Sequence, residues 1–181
     1  VTGVQTCALP IWDKLKESID VILNKDESAI HKFVEDFRKE FQTLPLADIS
    51  FPRGLNGLVK YADRSTIFAS GCPIHVRGAL VYNHFLRKHD IDTKYPLIQN
   101  GEKLKFIFLK EPNTIQSNVI SFPQGGIPEE LDLDKYIDYN TQFEKAFLDP
   151  LKMILDAIGW KTEKTSSLED FFSWSNEIVR S

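Results

Sequence analysis

The sequence predicts a mainly helical α+β fold that carries a small antiparallel β insertion. Stretches near both ends repeat apolar residues every three or four positions, which is the period of a helix buried along one side. A stretch in the middle instead alternates apolar and polar residues after an Asn-Gly pair, which is typical of a β-hairpin. The chain length of 181 residues suits one domain or a piece of a larger protein.

Residues 13–44 predict a helical hairpin with an acidic outer surface. The apolar face of the first helix is formed by Leu15, Ile19, Ile22 and Leu23. The apolar face of the second helix is formed by Ile30, Phe33, Val34, Phe37, Phe41 and Leu44. Pro45 follows directly, so the second helix is expected to end just before it.

A third helix is predicted to begin at Pro73 and to run to about Lys88. Proline is favourable in the first helical turn because its missing N–H would have no partner there. Ile74, Leu80 and Phe85 belong to the buried side of this helix. The turn-rich residues 50–61 precede it and lead into a short helix of basic character.

The β insertion is predicted over residues 96–123. Asn100 and Gly101 supply the positive φ angles of a type I′ turn, so residues 96–110 are expected to form a hairpin. In its second strand Leu104, Phe106 and Phe108 face one way, and Lys103, Lys105 and Ile107 face the other. Residues 118–123 are expected to add a third strand.

Helices are predicted again over residues 132–159. Their apolar stripe consists of Tyr136, Tyr139, Phe143, Phe147 and Leu148. Pro150 suggests a fresh helix start capped by Asp149, and Gly159 suggests its end. Residues 161–181 lose this period and are interpreted as a tail. Residues 13–160 would then form one domain.

Charge is unevenly distributed along the chain, although the formal net charge is only −4. Residues 51–110 carry 10 Lys/Arg against 4 Asp/Glu, residues 13–50 carry 6 against 9, and residues 111–181 carry 6 against 13. A basic middle between acidic flanks predicts a local site for a polyanion. The alternative is ordinary charge scatter, and charge alone favours that alternative slightly.

Metal and disulfide chemistry find little support in the sequence. Cys7 and Cys72 form neither a metal-ligand spacing nor a disulfide framework. His84 and His89 are five positions apart, which is not the spacing of two ligands on one helix. We therefore expect no metal and no cofactor in this chain. No apolar run approaches the roughly 20 residues that cross a bilayer.

The first twelve residues, VTGVQTCALPIW, match the translation of a common sequencing adaptor through residue 11 and the first base of the Trp12 codon. On this interpretation the true sequence begins near Asp13, its upstream part is missing, and Cys7 carries no meaning. The alternative is a natural N-terminal strand. The nucleotide sequence distinguishes the two, because only the adaptor requires one particular set of codons.

Four segments together resemble the thumb region of family B DNA polymerases from tailed bacteriophages. They are PIHVRGALVYN, NGEKLKFIFL, FEKAFLDPLKMILDAIGW and a short aromatic ending, in that order. The likeness runs from about residue 13 to about residue 174. It implies a C-terminal fragment of a replicative DNA-directed DNA polymerase, a nucleotidyltransferase that works in the cytoplasm of the infected bacterium.

The resemblance also implies that catalysis lies elsewhere in the parent protein. In this family the palm carboxylates hold Mg²⁺ for a two-metal phosphoryl transfer, in motifs such as DTDS and DxxSLYPS. Neither motif occurs here, and we interpret Asp132, Asp134 and Asp138 as solvated helix-start residues. The fragment is therefore expected to have no catalytic residues, to be inactive alone, and to pack against the palm domain.

A thumb holds primer-template duplex without reading its sequence, so its contacts should go to phosphates and sugars. The start of the helix at Pro73 is a natural phosphate cradle, because its first N–H groups are free. The predicted DNA-binding residues are Arg53, Lys60, His75, Arg77, Gly78, Tyr82, Asn83 and Lys103. Alternatively, His75 packs or caps, Arg77 pairs with an acidic helix, and Tyr82 belongs to the core.

The tail contains Leu168, Phe171 and Phe172, which one helical turn would place on the same side. In the resembled family a short C-terminal peptide of this kind binds the sliding clamp. Thr165 stands where such peptides often have glutamine, and residues 175–181 extend past the usual end. The alternative is that the aromatic residues fold back on the domain.

Two other functions remain open from the sequence. One is a non-enzymatic nucleic-acid-binding replication accessory protein built on the same helices. The other is a helical interaction module whose basic surface faces an acidic protein. Palm carboxylate motifs upstream of Asp13 would favour the polymerase, and tight duplex binding would disfavour the interaction module.

Overall fold

The computed structural model describes residues 10–164, which form two compact units. One unit combines residues up to Glu40 with those from Phe147 onward, and the other spans Phe41–Ala146. The predicted class, mainly helical α+β with a small antiparallel sheet, is confirmed. In the described part of the chain, no helix has both the length and the apolar content that a membrane span requires.

The first unit is helical. It contains α1 (Pro10–Asn24), most of α2 (Glu27–Phe41) and α7 (Asp149–Ile158). Phe147 is fully buried, and its ring packs edge-on against Phe37 with 4.8 Å between centroids. The α2 stripe is confirmed, since Ile30, Val34, Phe37 and Phe41 are all buried. Helices α1 and α2 cover most of residues 13–44, where a helical hairpin was predicted.

The apolar face predicted for α1 is only partly correct. Its buried residues are Ile11, Leu15 and Ser18, whereas Ile19 and Leu23 are exposed. Ser18 can be buried because its hydroxyl donates a hydrogen bond to the Leu15 carbonyl, 2.6 Å away. Ile11 belongs to the adaptor-like stretch, whose residues 1–9 lie outside the described part of the chain.

The second unit is built on a three-stranded antiparallel sheet in the order β1-β4-β5. The strands are β1 (Phe51–Gly54), β4 (Lys103–Phe108) and β5 (Val119–Phe122). Phe51 lies opposite Phe106, which lies opposite Ser121. Side chains opposite one another share a face, so the predicted division of β4 into a Leu104-Phe106-Phe108 face and a lysine face is confirmed.

Helix α5 (Ile74–Lys88) packs on the aromatic face of this sheet. The contact is closest at Gly78, where an added Cβ would lie 2.5 Å from Ser121 Oγ and 2.6 Å from its backbone nitrogen. Ser121 Oγ in turn donates a hydrogen bond to the His75 carbonyl. Helix and strand can approach this closely only because residue 78 has no side chain.

A short arm connects β1 to α5. It consists of α4 (Leu58–Tyr61) and the two-residue strands β2 (Ala62–Asp63) and β3 (Ile67–Phe68). Helix α3 (Leu46–Ile49) lies before β1. The β2–β3 turn is held by Asp63, whose carboxylate accepts hydrogen bonds from the backbone N–H groups of Ser65 and Thr66. The Ser65 hydroxyl also donates to this carboxylate. The hydroxyl bond, which has the largest effect, and the N–H bonds together lower the pKa of Asp63 to about 2.

The hairpin predicted over residues 96–110 is wrong in its first strand. Gly101 has the positive φ that the Asn-Gly turn requires, but its N–H bonds to the Leu55 carbonyl, and β4 pairs with β1 instead. The backbone of Ile98 is hydrogen-bonded to the Asn83 side chain, which donates to the Ile98 carbonyl and accepts from the Ile98 N–H. These two bonds occupy the backbone groups of Ile98 that the predicted hairpin would have used for strand pairing. The third strand, β5, is confirmed.

The C-terminal helices are continuous where a break was expected. Helix α6 (Tyr139–Phe143) passes through a π-helical turn, Glu144–Leu148, into α7. Asp149 is therefore the first residue of α7 rather than its cap. The predicted end of the helix at Gly159 is confirmed, with a left-handed φ of 77°. Asp138 caps α6 by accepting from the Thr141 N–H, which agrees with its helix-start interpretation.

Candidate nucleic-acid interface

The N-terminal end of α5 carries the most concentrated group of predicted DNA-binding residues. Pro73 precedes the helix, and no side chain caps its first turn. His75 and Arg77 both lie within this turn and are partly exposed. A helix start without a side-chain cap presents backbone N–H groups and a partial positive charge to an anion.

Arg77 is held in one orientation by two contacts. Its Nη2 donates a 2.6 Å hydrogen bond to Asn118 Oδ1, and its guanidinium carbon lies 5.7 Å from the centroid of the Phe68 ring. Within residues 10–164 its Nε is buried without a hydrogen-bond partner. The sequence alternative of an acidic helix beside Arg77 is not what the structure shows, because its partner is a neutral amide.

His75 and Arg53 form a second pair at the same end of α5. Burial lowers the pKa of His75 below its ordinary value, and the positive charge of Arg53 lowers it further. His75 is therefore mostly neutral at neutral pH. Its ring also lies 6.4 Å from that of Phe106, on the sheet face that carries α5. Arg53 is exposed on β1 and shares this face, since it lies opposite Leu104.

Lys60 lies on the arm that leads to Phe68. It is exposed on α4, and the arm is closed by the Ala69 N–H, which donates to the Tyr61 carbonyl. Ala62, which directly follows α4, pairs with Phe68 of β3, and the Phe68 ring contacts Arg77. Lys60 thus belongs to the same arm as Phe68, the residue whose ring contacts Arg77.

Lys103 is separated from this group by the pleat of the sheet. It lies opposite Gly54, one position out of phase with Arg53, so its side chain leaves the opposite face. Lys103 therefore does not lie alongside Arg53, contrary to the prediction. Lys105, on the same face as Lys103, donates a hydrogen bond to the Ala47 carbonyl.

Three predicted residues are buried and have structural partners. Gly78 is pressed against Ser121, and Asn83 is bonded to Ile98. Tyr82 is only 1% exposed, and burial raises the pKa of its hydroxyl to about 12. The Tyr82 and Asn83 side chains expose little or no surface and Gly78 has no side chain, so these residues do not form the interface that the sequence predicted. They fix the helix that carries His75 and Arg77.

Sequence reasoning missed Asn118 and Phe68, which orient Arg77. Asn118 is the first residue of the predicted third strand, directly before β5, and follows Arg77 by 41 positions. Phe68 lies in a short apolar stretch with neither helical nor alternating period. No local pattern links either residue to Arg77, because strand pairing and helix packing bring the three together.

The predictions for the tail and for metal binding concern no site among the described residues. The tail residues Leu168, Phe171 and Phe172 lie outside residues 10–164. Among the described residues, no group of three or more His, Cys, Asp and Glu side chains is placed to hold a metal ion.

The sequence is similar to two phage enzymes. It is 29% identical over 165 residues, 90% of its length, to the DNA-directed DNA polymerase of Enterobacteria phage T4. It is 32% identical over 163 residues, 88% of its length, to the DNA-directed DNA polymerase of Escherichia phage RB69. The chain spans 18% of the length of each relative. No protein-family model matches it.

Proposed function

We propose that this chain is the thumb part of a phage family B DNA-directed DNA polymerase, and that it holds primer-template duplex by its sugar–phosphate backbone. The observation that carries the proposal is the similarity to two phage DNA polymerases over about nine-tenths of the chain. The parent enzyme would be a nucleotidyltransferase acting in the infected bacterial cell, with its Mg²⁺ bound by a palm domain that this chain does not include.

The geometry at the N-terminal end of α5 supports the duplex-holding role. We name Arg53, His75 and Arg77, together with Lys60 of the arm, the α5 start surface. It combines three permanent positive charges with a helix start that lacks a side-chain cap. Arginine and lysine can pair with the phosphates of any nucleotide, and such contacts would suit a protein that must accept every sequence.

Arg77 is well prepared for such a contact. Asn118 and Phe68 hold its guanidinium in place, and no carboxylate forms a salt bridge with it in the described part of the chain. A fixed guanidinium loses less side-chain entropy on binding a phosphate than a mobile one. Its planar fork also matches two phosphate oxygens at once.

The test of this proposal is duplex binding by variants of the α5 start surface. We expect the double variant Arg53→Ala/Lys60→Ala to bind duplex DNA about tenfold more weakly at low salt, uniformly across sequences. Each lost phosphate contact should also reduce the slope of log K against log salt by about 0.9. Fluorescence anisotropy of a labelled 20-base-pair duplex, titrated at four salt concentrations, measures both quantities.

The matched control is Lys110→Ala/Lys152→Ala, which removes two exposed charges outside this surface. It loses the same net charge, so it separates a local contact from a general electrostatic effect. Equal weakening by the two double variants, or no weakening by Arg53→Ala/Lys60→Ala, would contradict the assignment. Both tested side chains are exposed, so the substitutions should leave the fold intact.

We also propose that the tail tethers the parent polymerase to a sliding clamp through Leu168, Phe171 and Phe172. A peptide of residues 161–181 should bind the clamp of the same phage with a dissociation constant near micromolar. Changing both phenylalanines to alanine should reduce this affinity at least tenfold, because they supply most of the apolar contact. Isothermal titration of the two peptides gives the comparison, and equal affinities would refute the tether.

A further inference from the structure

A second basic surface lies at the other end of α5, within the unit Phe41–Ala146. An open cleft of about 510 Å³ separates the C-terminal half of α5 from the arm. We name it the α5–arm cleft. The lining residues that carry the inference are Leu58, Val59, Arg64, Leu80, His84 and Arg87. The volume is within the range of roughly 300–1,000 Å³ that ligand-binding clefts occupy.

The α5–arm cleft is distinct from the α5 start surface. Leu80, His84 and Arg87 follow one another at intervals of four and three residues, so they form one stripe along α5. Arg87 lies ten positions beyond Arg77, which corresponds to about 15 Å along a helix. Substitutions in the cleft can therefore be made without touching the residues proposed to hold duplex.

Charge at the cleft favours an acidic occupant. Arg64 and Arg87 are both exposed, and neither forms a salt bridge within residues 10–164. The lining includes one carboxylate, that of Asp63, but its Oδ1 already accepts three hydrogen bonds from Ser65 and Thr66. That carboxylate serves the β2–β3 turn, so it is not the partner of either arginine.

Apolar surface at the cleft indicates a protein segment rather than nucleic acid. Val59 is 83% exposed at the cleft, and Leu58 and Leu80 contribute further apolar lining. None of the lining residues is Phe, Tyr or Trp. Sites for single-stranded nucleic acid rely on such rings for base stacking. Aliphatic side chains instead suit contact with the aliphatic residues of a peptide.

We propose that the α5–arm cleft binds an acidic peptide segment of a partner protein. Carboxylates of the segment pair with Arg64 and Arg87, and an aliphatic side chain lies on Val59 and Leu80. The physical basis is charge complementarity at the rim with apolar burial between the two arginines. This inference does not depend on the proposed polymerase function, since it rests only on the cleft residues.

The experiment uses the full 181-residue chain and a fluorescein-labelled eight-residue peptide that alternates acidic residues with leucine. Fluorescence anisotropy should show saturable binding, at least tenfold weaker for a peptide whose carboxylates are replaced by amides. Arg64→Ala/Arg87→Ala should weaken binding at least tenfold, and Val59→Ser about threefold. Lys110→Ala/Lys152→Ala, which removes the same charge elsewhere, should change it less than twofold.

Several results would overturn the proposal. One is the absence of saturable peptide binding, and another is equal binding by the cleft variant and the Lys110/Lys152 control. A greater loss of affinity for a single-stranded oligonucleotide than for the peptide in Arg64→Ala/Arg87→Ala would make the cleft a nucleic-acid site. Self-association that this variant abolishes, measured by sedimentation, would make a second copy of the chain the occupant.

Duplex binding separates this inference from the proposed function. Arg64→Ala/Arg87→Ala should retain duplex affinity within twofold, whereas Arg53→Ala/Lys60→Ala should retain peptide affinity within twofold. Failure of peptide binding with intact duplex binding would remove only the α5–arm cleft proposal. Failure of duplex binding with intact peptide binding would remove only the duplex-holding role.

Discussion

Replacing Gly78 by alanine is expected to destabilise the protein by about 3 kcal/mol, near the upper end of the usual cost of overpacking. The added Cβ would lie 2.5 Å from Ser121 Oγ, 2.6 Å from the Ser121 nitrogen and 3.0 Å from the Ile120 carbonyl carbon. Two of these three atoms are backbone atoms of β5, which cannot move aside as a flexible side chain would. Helix α5 must therefore move away from β5. Urea unfolding followed by far-UV circular dichroism measures the loss.

Gly125→Ala is the matched control for Gly78→Ala. No heavy atom lies within 4 Å of the Cβ that this substitution adds, and the residue does not have a positive φ. Its free energy of unfolding should stay within about 0.5 kcal/mol of the unmodified protein. If Gly78→Ala were equally harmless, the close approach of α5 to Ser121 described here would be incorrect.

The movement of α5 in Gly78→Ala also has a functional consequence. His75 and Arg77 precede Gly78 by one turn or less, and their positions depend on the same helix–strand contact. We therefore expect duplex binding to weaken even at temperatures where the variant remains folded. The same loss without any change in stability would argue instead for direct contact of residue 78 with DNA.

Replacing Phe147 by alanine should cost about 3–5 kcal/mol of stability, which is typical of removing a buried phenylalanine ring. The residue is fully buried in the helical unit, where its ring contacts those of Phe37 and Phe33. Truncation leaves a cavity between α2 and the chain that enters α7, and rigid helices close such a space only partly. Chemical denaturation at 25 °C, with the midpoint and slope fitted separately, measures the effect.

Met153→Ala provides the comparison on α7, the helix that follows Phe147. Met153 is 79% exposed, so its truncation should change the free energy of unfolding by no more than about 0.5 kcal/mol. Similar effects of the two substitutions would show that the ring of Phe147 is not part of a packed core. A change in slope for Phe147→Ala alone would indicate that the denatured state or the cooperativity changed as well.

The sequence predicted the long helices because their signals are local. Helix α2 shows its buried stripe in the spacing of Ile30, Val34, Phe37 and Phe41, and α5 begins beside Pro73 as expected. Strand β4 was also predicted, with the correct faces, because alternation of apolar and polar residues needs only six consecutive positions. The same holds for Gly159, whose left-handed conformation ends α7.

The candidate interface was predicted only in part. Arg53, His75 and Arg77 were identified from a basic segment and a helix start, and the structure brings them to one end of α5. Gly78 was included as part of the first helical turn, and Tyr82 and Asn83 as part of the next, yet a helix turns successive residues to different sides. Lys103 was separated from Arg53 by a single step of strand register, which no sequence pattern specifies.

By itself, the sequence determined the class of fold, the positions of the principal helices and the basic character of residues 51–110. Each of these follows from properties of residues within a few positions of one another. Tertiary structure alone decided that β4 pairs with β1, that Asn118 and Phe68 orient Arg77, and that Lys103 leaves the opposite face of the sheet. The physical reason is that these contacts join residues far apart in the chain, and many alternative pairings satisfy the same local preferences until one packed core selects among them.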